Sequence, residues 1–253
     1  MRLNVLCSGS AGNGYILTAN DGRALALEAG AKAADYFRAL YPSQFAGVLV
    51  THEHKDHARE AERLAKEYGV RTIATAGTIR AVGLPFWCSF PVVCGVTINA
   101  DSWKVTPVAV KHDAVEPCAY IIERDDAVIL FATDLQEFPE IPTEIRRRIN
   151  VLMLEANYDA EIAIRTGANK SHLDRVSNSH LSIVQAVDAV AELINEGAPI
   201  ETIVLLHLSN DNSDEAGFKA RIKAVAPASR VFVADKGLVI DDLTLFDYEQ
   251  QKR

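Results

Sequence analysis

The stretch Thr51-His52-Glu53-His54-Lys55-Asp56-His57 places three histidines and one aspartate within six residues. It follows a short apolar run that predicts a β-strand. After it, apolar residues recur every three or four positions, which is typical of a helix. In a loop that leaves a strand, alternate residues can point the same way, so His52 and His54 can share one metal ion. Asp56 and His57, at the start of the helix, can turn toward a second ion. Imidazoles and carboxylates suit zinc, and carboxylates also suit manganese.

Further ligand-type side chains follow other apolar runs. They are His112 after residues 108–110, Asp134 after residues 129–131 and His207 after residues 204–206. When several strands each deliver a polar side chain at the carboxyl end, a functional site on a rigid sheet is the expected result. The sequence therefore predicts a metal site at one edge of a sheet.

The rest of the chain has the pattern of an α/β protein. Its 253 residues are 49% hydrophobic and 24% charged, which is ordinary for a globular protein. Short β-rich runs recur from residues 2–6 to residues 238–240, and helical spacings cover residues 32–40, 58–68, 182–195 and 213–224. Because no repeat, low-complexity segment or linker interrupts the pattern, we predict one domain over residues 1–253.

Composition also limits the partners. The net charge of −8 counts weakly against nucleic-acid binding, because phosphate contacts require Lys and Arg, although bound divalent metals would change the local field. The four cysteines show no CxxC pairing, so we expect them to be reduced and structural. The first residues resemble a strand rather than a signal peptide, and no apolar run approaches the ~18 residues of a membrane span. We expect a cytoplasmic protein with no membrane association and no obligate protein partner.

The order of the ligand-type residues resembles that of the metallo-β-lactamase superfamily, along nearly the whole chain. The shared pattern is His-x-His-x-Asp-His after a strand, then an isolated His, an Asp and a late His. The resemblance implies an α/β fold, the αββα four-layer sandwich, with two divalent ions, Zn or Mn, at one rim. It also implies the ligands: His52, His54 and His112 for the first ion, Asp56, His57 and His207 for the second, and Asp134 bridging both.

Shorter motifs narrow the resemblance. In chain order they are Ser8-Gly9-Ser10-Ala11-Gly12-Asn13, Lys111-His112-Asp113-Ala114, Ala132-Thr133-Asp134, Leu154-Glu155-Ala156-Asn157, Ser179-His180-Leu181-Ser182 and Leu206-His207-Leu208-Ser209-Asn210. Together they are similar to the YycJ/WalJ-type proteins, metallo-β-lactamase-fold phosphodiesterases linked to DNA exonuclease activity. RNase Z, the tRNA 3′-processing nuclease, has a comparable His-hydrophobe-Ser motif. Two positions depart from the pattern: Glu28 stands where an Asp is usual, and Tyr158 stands where the group has a histidine.

Several residues have more than one interpretation. His180 could satisfy the backbone amides at the start of the helix that follows it, or it could act on the substrate, and its flanking residues favour the second role. Glu155 either orients a metal-bound imidazole or is solvated. Glu28 is expected to hydrogen-bond to a metal-binding histidine. His172 matches no motif and is expected at the surface.

Candidates for substrate binding come from two polar segments and one motif. The Gly-rich residues 8–14 could offer backbone amides to a phosphate or form only a tight turn. Residues 165–175 carry three cations, which could bind flanking phosphates, or the segment could be a solvated mobile loop. The predicted substrate-binding residues are Ser10, Asn13, Lys170, Arg175 and Asn210.

The predicted chemistry is hydrolysis at phosphorus. Two metals about 3.5–4 Å apart suit an in-line displacement, and they lower the pKa of a shared water to about 7, so that a hydroxide bridging them attacks phosphorus. A protonated His180 would stabilise the developing charge or donate a proton to the leaving oxygen. The predicted catalytic residues are Asp56, Asp134 and His180. We therefore predict a metal-dependent phosphodiesterase or nuclease, a DNA exonuclease, with DNA favoured over RNA as its partner.

Three alternatives remain open. A small-molecule hydrolase of the same fold, acting on a thioester, a lactone or a cyclic or small phosphodiester, is favoured by the charge of −8 and disfavoured by the motif around His180. A non-hydrolytic redox protein would carry Glu at the position of His54 and would need a flavin domain that 253 residues cannot hold. A binding module without catalysis is disfavoured by the complete set of ligands.

Overall fold

The first half of the chain forms a mixed β-sheet. The computed structural model describes residues 1–244, apart from the side chain of residue 172. The strands of this sheet are β1 (Arg2–Cys7), β2 (Gly14–Thr18), β3 (Ala24–Leu27), β4 (Phe45–Leu49), β5 (Thr72–Thr75), β6 (Ser89–Val92) and, from the end of the described chain, β14 (Val239–Ile240). Their order is β14-β1-β2-β3-β4-β5-β6, and β3 to β6 are parallel.

The second half forms another mixed sheet. Its strands are β7 (Ile98–Ala100), β8 (Trp103–Ala109), β9 (Cys118–Arg124), β10 (Ala127–Ala132), β11 (Val151–Glu155), β12 (Thr202–Leu206) and β13 (Arg230–Val233). Their order is β13-β12-β11-β10-β9-β8-β7, and β10 to β13 are parallel.

Helices connect the strands. Over residues 1–244 they are α1 (Ala33–Tyr36), α2 (Lys55–Ala58), α3 (Ala61–Tyr68), α4 (Ala76–Val82), α5 (Thr143–Arg146), α6 (Ala160–Arg165), α7 (Lys170–Ser177), α8 (Ile183–Asn195) and α9 (Glu215–Val225), with short 3₁₀ turns at Pro42–Gln44 and Phe86–Cys88. None of the helices in this range is long and apolar enough to cross a membrane.

Both faces of each sheet are covered by apolar side chains. The central cluster lies between the sheets, where the rings of Tyr15 and Phe131 meet edge to face at 5.7 Å. A second cluster packs α8 and α9 on the outer face of the second sheet, and a third packs α1 and α3 on the outer face of the first. In β12, Val204 and Leu206 belong to the central cluster and Ile203 to the outer one, as expected for a parallel strand that is buried on both faces. These layers confirm the predicted αββα sandwich.

Some local predictions need correction. The segment at residues 165–175, which could have been a mobile loop, contains most of helix α7 instead. Helices α4, α5 and α6 and strands β6 and β7 were not predicted, because each is short and β6 contains Pro91, which lowers the expectation of a strand. The helix predicted at residues 58–68 begins only at Ala61, as α3, and the separate helix α2 precedes it. The prediction that the His172 side chain lies at the surface falls outside the part that the structure describes.

Candidate metal centre

The loops after β4, β8, β10 and β12 converge at one rim of the sandwich and bring the predicted ligands together. Among the described residues, three groups of donor atoms form there, each with its atoms within 4.8 Å of one another: His52, His54 and His112 in the first, Asp56, His57, Asp134 and His207 in the second, and Asp134, Glu155, His180 and His207 in the third. All seven residues predicted as metal ligands lie in the first two groups.

Three imidazole nitrogens of the first group face one another. The Nδ1 atom of His54 lies 3.1 Å from Nε2 of His52 and 3.3 Å from Nε2 of His112. The Nδ1 atom of His112 lies 2.8 Å from the Ser179 carbonyl, to which it can donate. His52 Nδ1 lies 2.9 Å from the Thr51 hydroxyl, which itself donates to Glu28. These contacts place the proton on Nδ1 in His52 and in His112, so both Nε2 lone pairs point into the group, where a cation fits.

The second group combines imidazoles with carboxylates. Asp56 Oδ2 lies 3.2 Å from His57 Nε2 and 3.9 Å from His207 Nε2. The Nε2 atom of His207 is buried and has no hydrogen-bond partner among the described residues. A buried polar atom without a partner is costly, and a bound ion would satisfy it.

Asp134 lies between the two groups. Its Oδ2 atom is 3.9 Å from Nε2 of His52 and from Nε2 of His112, and 3.4 Å from Nε2 of His57. Two donors that bind one ion at about 2.0–2.2 Å each cannot be more than about 4.4 Å apart. Asp134 meets this limit for both groups, so the predicted bridging position is geometrically possible.

The charges of the buried residues also fit a cation site. Burial would lower the pKa of His207, but the carboxylates of Asp134 and Glu155 raise it to about 10. Burial would raise the pKa of Asp134, but the charges of His207 and His57 hold it well below its usual range. His52 differs, because burial lowers its pKa well below the usual value and keeps it neutral, as a metal ligand must be. The surrounding carboxylates thus favour positive charge in this region.

The backbone at this rim is strained. Of the five described non-glycine residues with positive φ, three belong to the site: Glu28 at 60°, Asp134 at 51° and His207 at 52°. Such conformations persist only where the surrounding structure determines them, and they are frequent at functional sites.

Glu28 lies next to the second group of ligands. It is fully buried, and its Oε1 atom lies 3.4 Å from Nδ1 of His57 and 2.6 Å from the Thr51 hydroxyl. Despite its extra methylene, the carboxylate therefore lies close to a histidine of the group, but Nδ1 of His57 has no hydrogen-bond partner among the described residues, so the hydrogen bond expected for Glu28 stays a prediction. Tyr158, the other departure, is buried, and its carbonyl accepts a hydrogen bond from Ile183 at the start of α8.

Glu155 and His180 form a pair next to the ligands. Glu155 is fully buried, which excludes a solvated role, and its Oε1 atom lies 2.7 Å from Nδ1 of His180. Its Oε2 atom accepts hydrogen bonds from the backbone amides of Leu135 and Leu181. His180 is 21% exposed and lies 4.0 Å from Asp134. Ser182, not His180, caps α8, so the structure gives His180 no part in satisfying the helix amides.

Four of the five predicted substrate-binding residues separate into two sets. Ser10 and Arg175 line a cavity of about 620 Å³ that reaches His180, and Arg175 also lines a second cavity of about 490 Å³ that reaches His112. Asn210 and Lys170 are exposed and lie outside both linings.

Asn13 has a different position from the one expected for substrate binding. It is fully buried, its Oδ1 atom accepts from the Gly9 amide, and its Nδ2 atom lies 3.0 Å from Nε2 of His57. We correct the expectation for Asn13, because these contacts leave no exposed atom for a substrate and instead fix the Gly-rich turn against the ligands.

Comparison with known proteins agrees with this geometry. Residues 35–208 match the model of the beta-lactamase superfamily domain. The chain belongs to the β-lactamase superfamily. Exodeoxyribonuclease YycJ of Bacillus anthracis is a superfamily relative, 28% identical over 226 residues, which cover 84% of each chain.

Solved structures show the same fold. The metallo-β-lactamase-fold protein YhfI from Bacillus subtilis has a TM-score of 0.74 and 18% identity, over 95% of this chain and 98% of that one. The short form of human tRNase Z has a TM-score of 0.63 and 14% identity, over 97% of this chain and all of that one. These structures establish the sandwich fold, and the site adds a cluster of His and Asp residues suited to divalent metals.

A first prediction concerns Glu155, as a positioning residue. Glu155→Gln should keep the metal content and lower turnover about 10–100-fold, the effect of losing a group that orients an active-site histidine. Since Glu155 acts through His180, the double variant with His180→Ala should be no slower than His180→Ala alone. The half-buried Glu123→Gln, which loses its ion pair with Arg148 far from the ligands, is the matched control. Additive losses in the double variant would contradict this role.

Proposed function

We propose that this protein is a metal-dependent phosphodiesterase that acts on nucleic acid, as a DNA exonuclease. The observation that carries the proposal is the Glu155–His180 pair at 2.7 Å, set beside two groups of metal-ligand atoms. A hydrolase that only activates water needs no histidine of this kind, whereas expulsion of an alkoxide from phosphorus needs a proton donor.

The residues of the chain have distinct parts in this chemistry. Seven ligands would hold two divalent ions, zinc or manganese, which supply hydroxide at neutral pH and offset the charge of the phosphate oxygens. Burial would lower the pKa of His180, but the carboxylate of Glu155 raises it above its usual value, which favours the charged form of the imidazole. Glu155 also fixes the ring through Nδ1, which leaves Nε2 for the leaving oxygen.

The shape of the site favours a diester. One cavity reaches His180 and the other reaches His112, and Arg175 contributes to both. A phosphodiester carries a group on each side of phosphorus, and two cavities that share Arg175 and reach different histidines of the site can accommodate them.

The relatives support a nucleic-acid substrate. YycJ of Bacillus anthracis is named an exodeoxyribonuclease, and that name is the reason why we favour DNA over RNA. The net charge of −8 supports the alternative of a small-molecule hydrolase, since it reduces long-range attraction to phosphates. Local contacts at the metal centre would have to compensate for it.

The test is a digestion panel with Zn²⁺ or Mn²⁺. The substrates are end-labelled single-stranded, double-stranded and 5′-phosphorylated DNA, RNA, bis-p-nitrophenyl phosphate, a thioester and a lactone. We expect metal-dependent loss of single nucleotides from DNA ends. Hydrolysis of the thioester or lactone without any cleavage of DNA or RNA would overturn the proposal in favour of the small-molecule alternative.

A further inference from the structure

The cavity next to His180 has the size and position of a substrate subsite. Its volume of about 620 Å³ lies within the range of about 300–1,000 Å³ that is typical of small-ligand pockets. His180 forms part of its wall, together with Ser10, Asn157, Ser209 and Asn212. The histidine that we assign to proton transfer therefore adjoins both the cavity and the predicted ligand Asp134.

The lining is polar but carries little charge. Arg175 and Asp211 have opposite formal charges, and apart from His180 the other polar residues of the lining are amides and hydroxyls. Affinity for phosphate groups comes mainly from the positive charge of Lys and Arg. A wall of neutral amides and hydroxyls instead matches an uncharged group that has both hydrogen-bond donors and acceptors.

Two buried asparagines provide one acceptor and one donor. Asn157 is 6% exposed; its Nδ2 atom donates to the His207 carbonyl at 2.8 Å, and its Oδ1 atom has no partner among the described residues. Asn212 is 8% exposed, with Oδ1 at 3.4 Å from the Thr166 hydroxyl, and its Nδ2 atom likewise has no partner in residues 1–244. Amide groups of this kind pair well with the edges of nucleobases.

We infer that this cavity binds the nucleoside on one side of the scissile phosphate, with Asn157 and Asn212 facing its base. The inference rests on the proposed phosphodiesterase function and adds a subsite to it. Binding of the base there would place the neighbouring phosphate between His180 and the metal ligands, so the cavity would determine which nucleotide positions the enzyme requires.

The first test removes the amide of Asn212. Asn212→Ala should lower kcat/KM on DNA about tenfold, the effect of one net hydrogen bond. The measurement is repeated with an abasic residue placed in turn at each of the two positions flanking the scissile phosphate. At one of these positions the abasic residue should lower the activity of the wild-type protein, whereas it should cause no further loss in the Asn212→Ala variant. Equal losses in both proteins at both positions would overturn the inference.

The second test measures binding without turnover. Ala168 lines the cavity, so Ala168→Trp should fill it, whereas Ile164→Trp, at a position that is 62% exposed and outside the lining, is the matched control. With chelator present, the Kd for thymidine monophosphate should be at least tenfold higher for Ala168→Trp than for the wild type, and it should be unchanged in the control. Equal Kd values in both would overturn the subsite, whatever the digestion panel shows. If the wild type cleaves no nucleic acid, the proposed function is overturned, even if Ala168→Trp binds thymidine monophosphate more weakly than the control does.

Discussion

Asp134→Asn should abolish hydrolysis and remove metal from both groups of ligands together. The Oδ2 atom of Asp134 is within 3.9 Å of nitrogens in both groups, so the substitution weakens both sites rather than one. It also removes the charge that faces His57 and His207 in a fully buried position. Loss of a group that only orients a ligand lowers activity about 10–100-fold. Loss of a bridging ligand should lower it more, at least about 10³-fold.

The control for this change is Asp125→Asn. Asp125 also has a positive φ, at 54°, and it lies outside both groups of ligands. Asn is tolerated in that conformation, so any general effect of the substitution on the backbone appears in the control as well. Metal content is measured by elemental analysis on purified protein, and turnover on labelled DNA. An Asp134→Asn protein that retains two ions, or that loses only one, would contradict the bridging position.

His180→Ala should leave both metals in place and lower turnover on DNA about 10²–10⁴-fold, the range for general acid–base catalysis. His180 belongs to neither of the two groups that would hold the metals, and Glu155 rather than a ligand anchors its ring. The loss should be smaller on bis-p-nitrophenyl phosphate, because a p-nitrophenolate leaving group needs little help from a proton donor.

The comparison of the two substrates separates the possible roles of His180. Equal losses on both would indicate that the imidazole stabilises charge or binds phosphate. Loss of metal would make it a ligand, in line with the third group of donor atoms that it forms with Asp134, Glu155 and His207. Full activity on both substrates would remove the main argument for a phosphodiesterase.

The fold and the ligand positions could be predicted because they depend on local sequence. The motif at residues 51–57 directly follows an apolar run that predicts a strand. His112, Asp134 and His207 each follow such a run as well. Parallel strands end at the same edge of a sheet, so strand ends that carry ligands are brought together by the topology itself.

The rest of the site depends on contacts between distant segments. Glu155 and His180 are 25 residues apart and meet only because the segment before α8 lies against the end of β11, so the sequence could not choose between an orienting and a solvated Glu155. Asn157 and Asn212 were given no role for the same reason, although Asn157 ends one quoted motif and Asn212 lies two residues after another. Asn13 was assigned to substrate because its burial depends on the fold of the Gly-rich turn.

The central claim is that two metal ions at these seven ligands perform the hydrolysis. The most direct measurement is a titration of chelated protein with Zn²⁺ or Mn²⁺, with bound metal and DNA hydrolysis followed in the same samples. We expect activity to appear mainly as the ratio of metal to protein rises from one to two, and to be absent from the Asp134→Asn variant. Full activity at a ratio of one, or in the presence of excess chelator, would contradict the account.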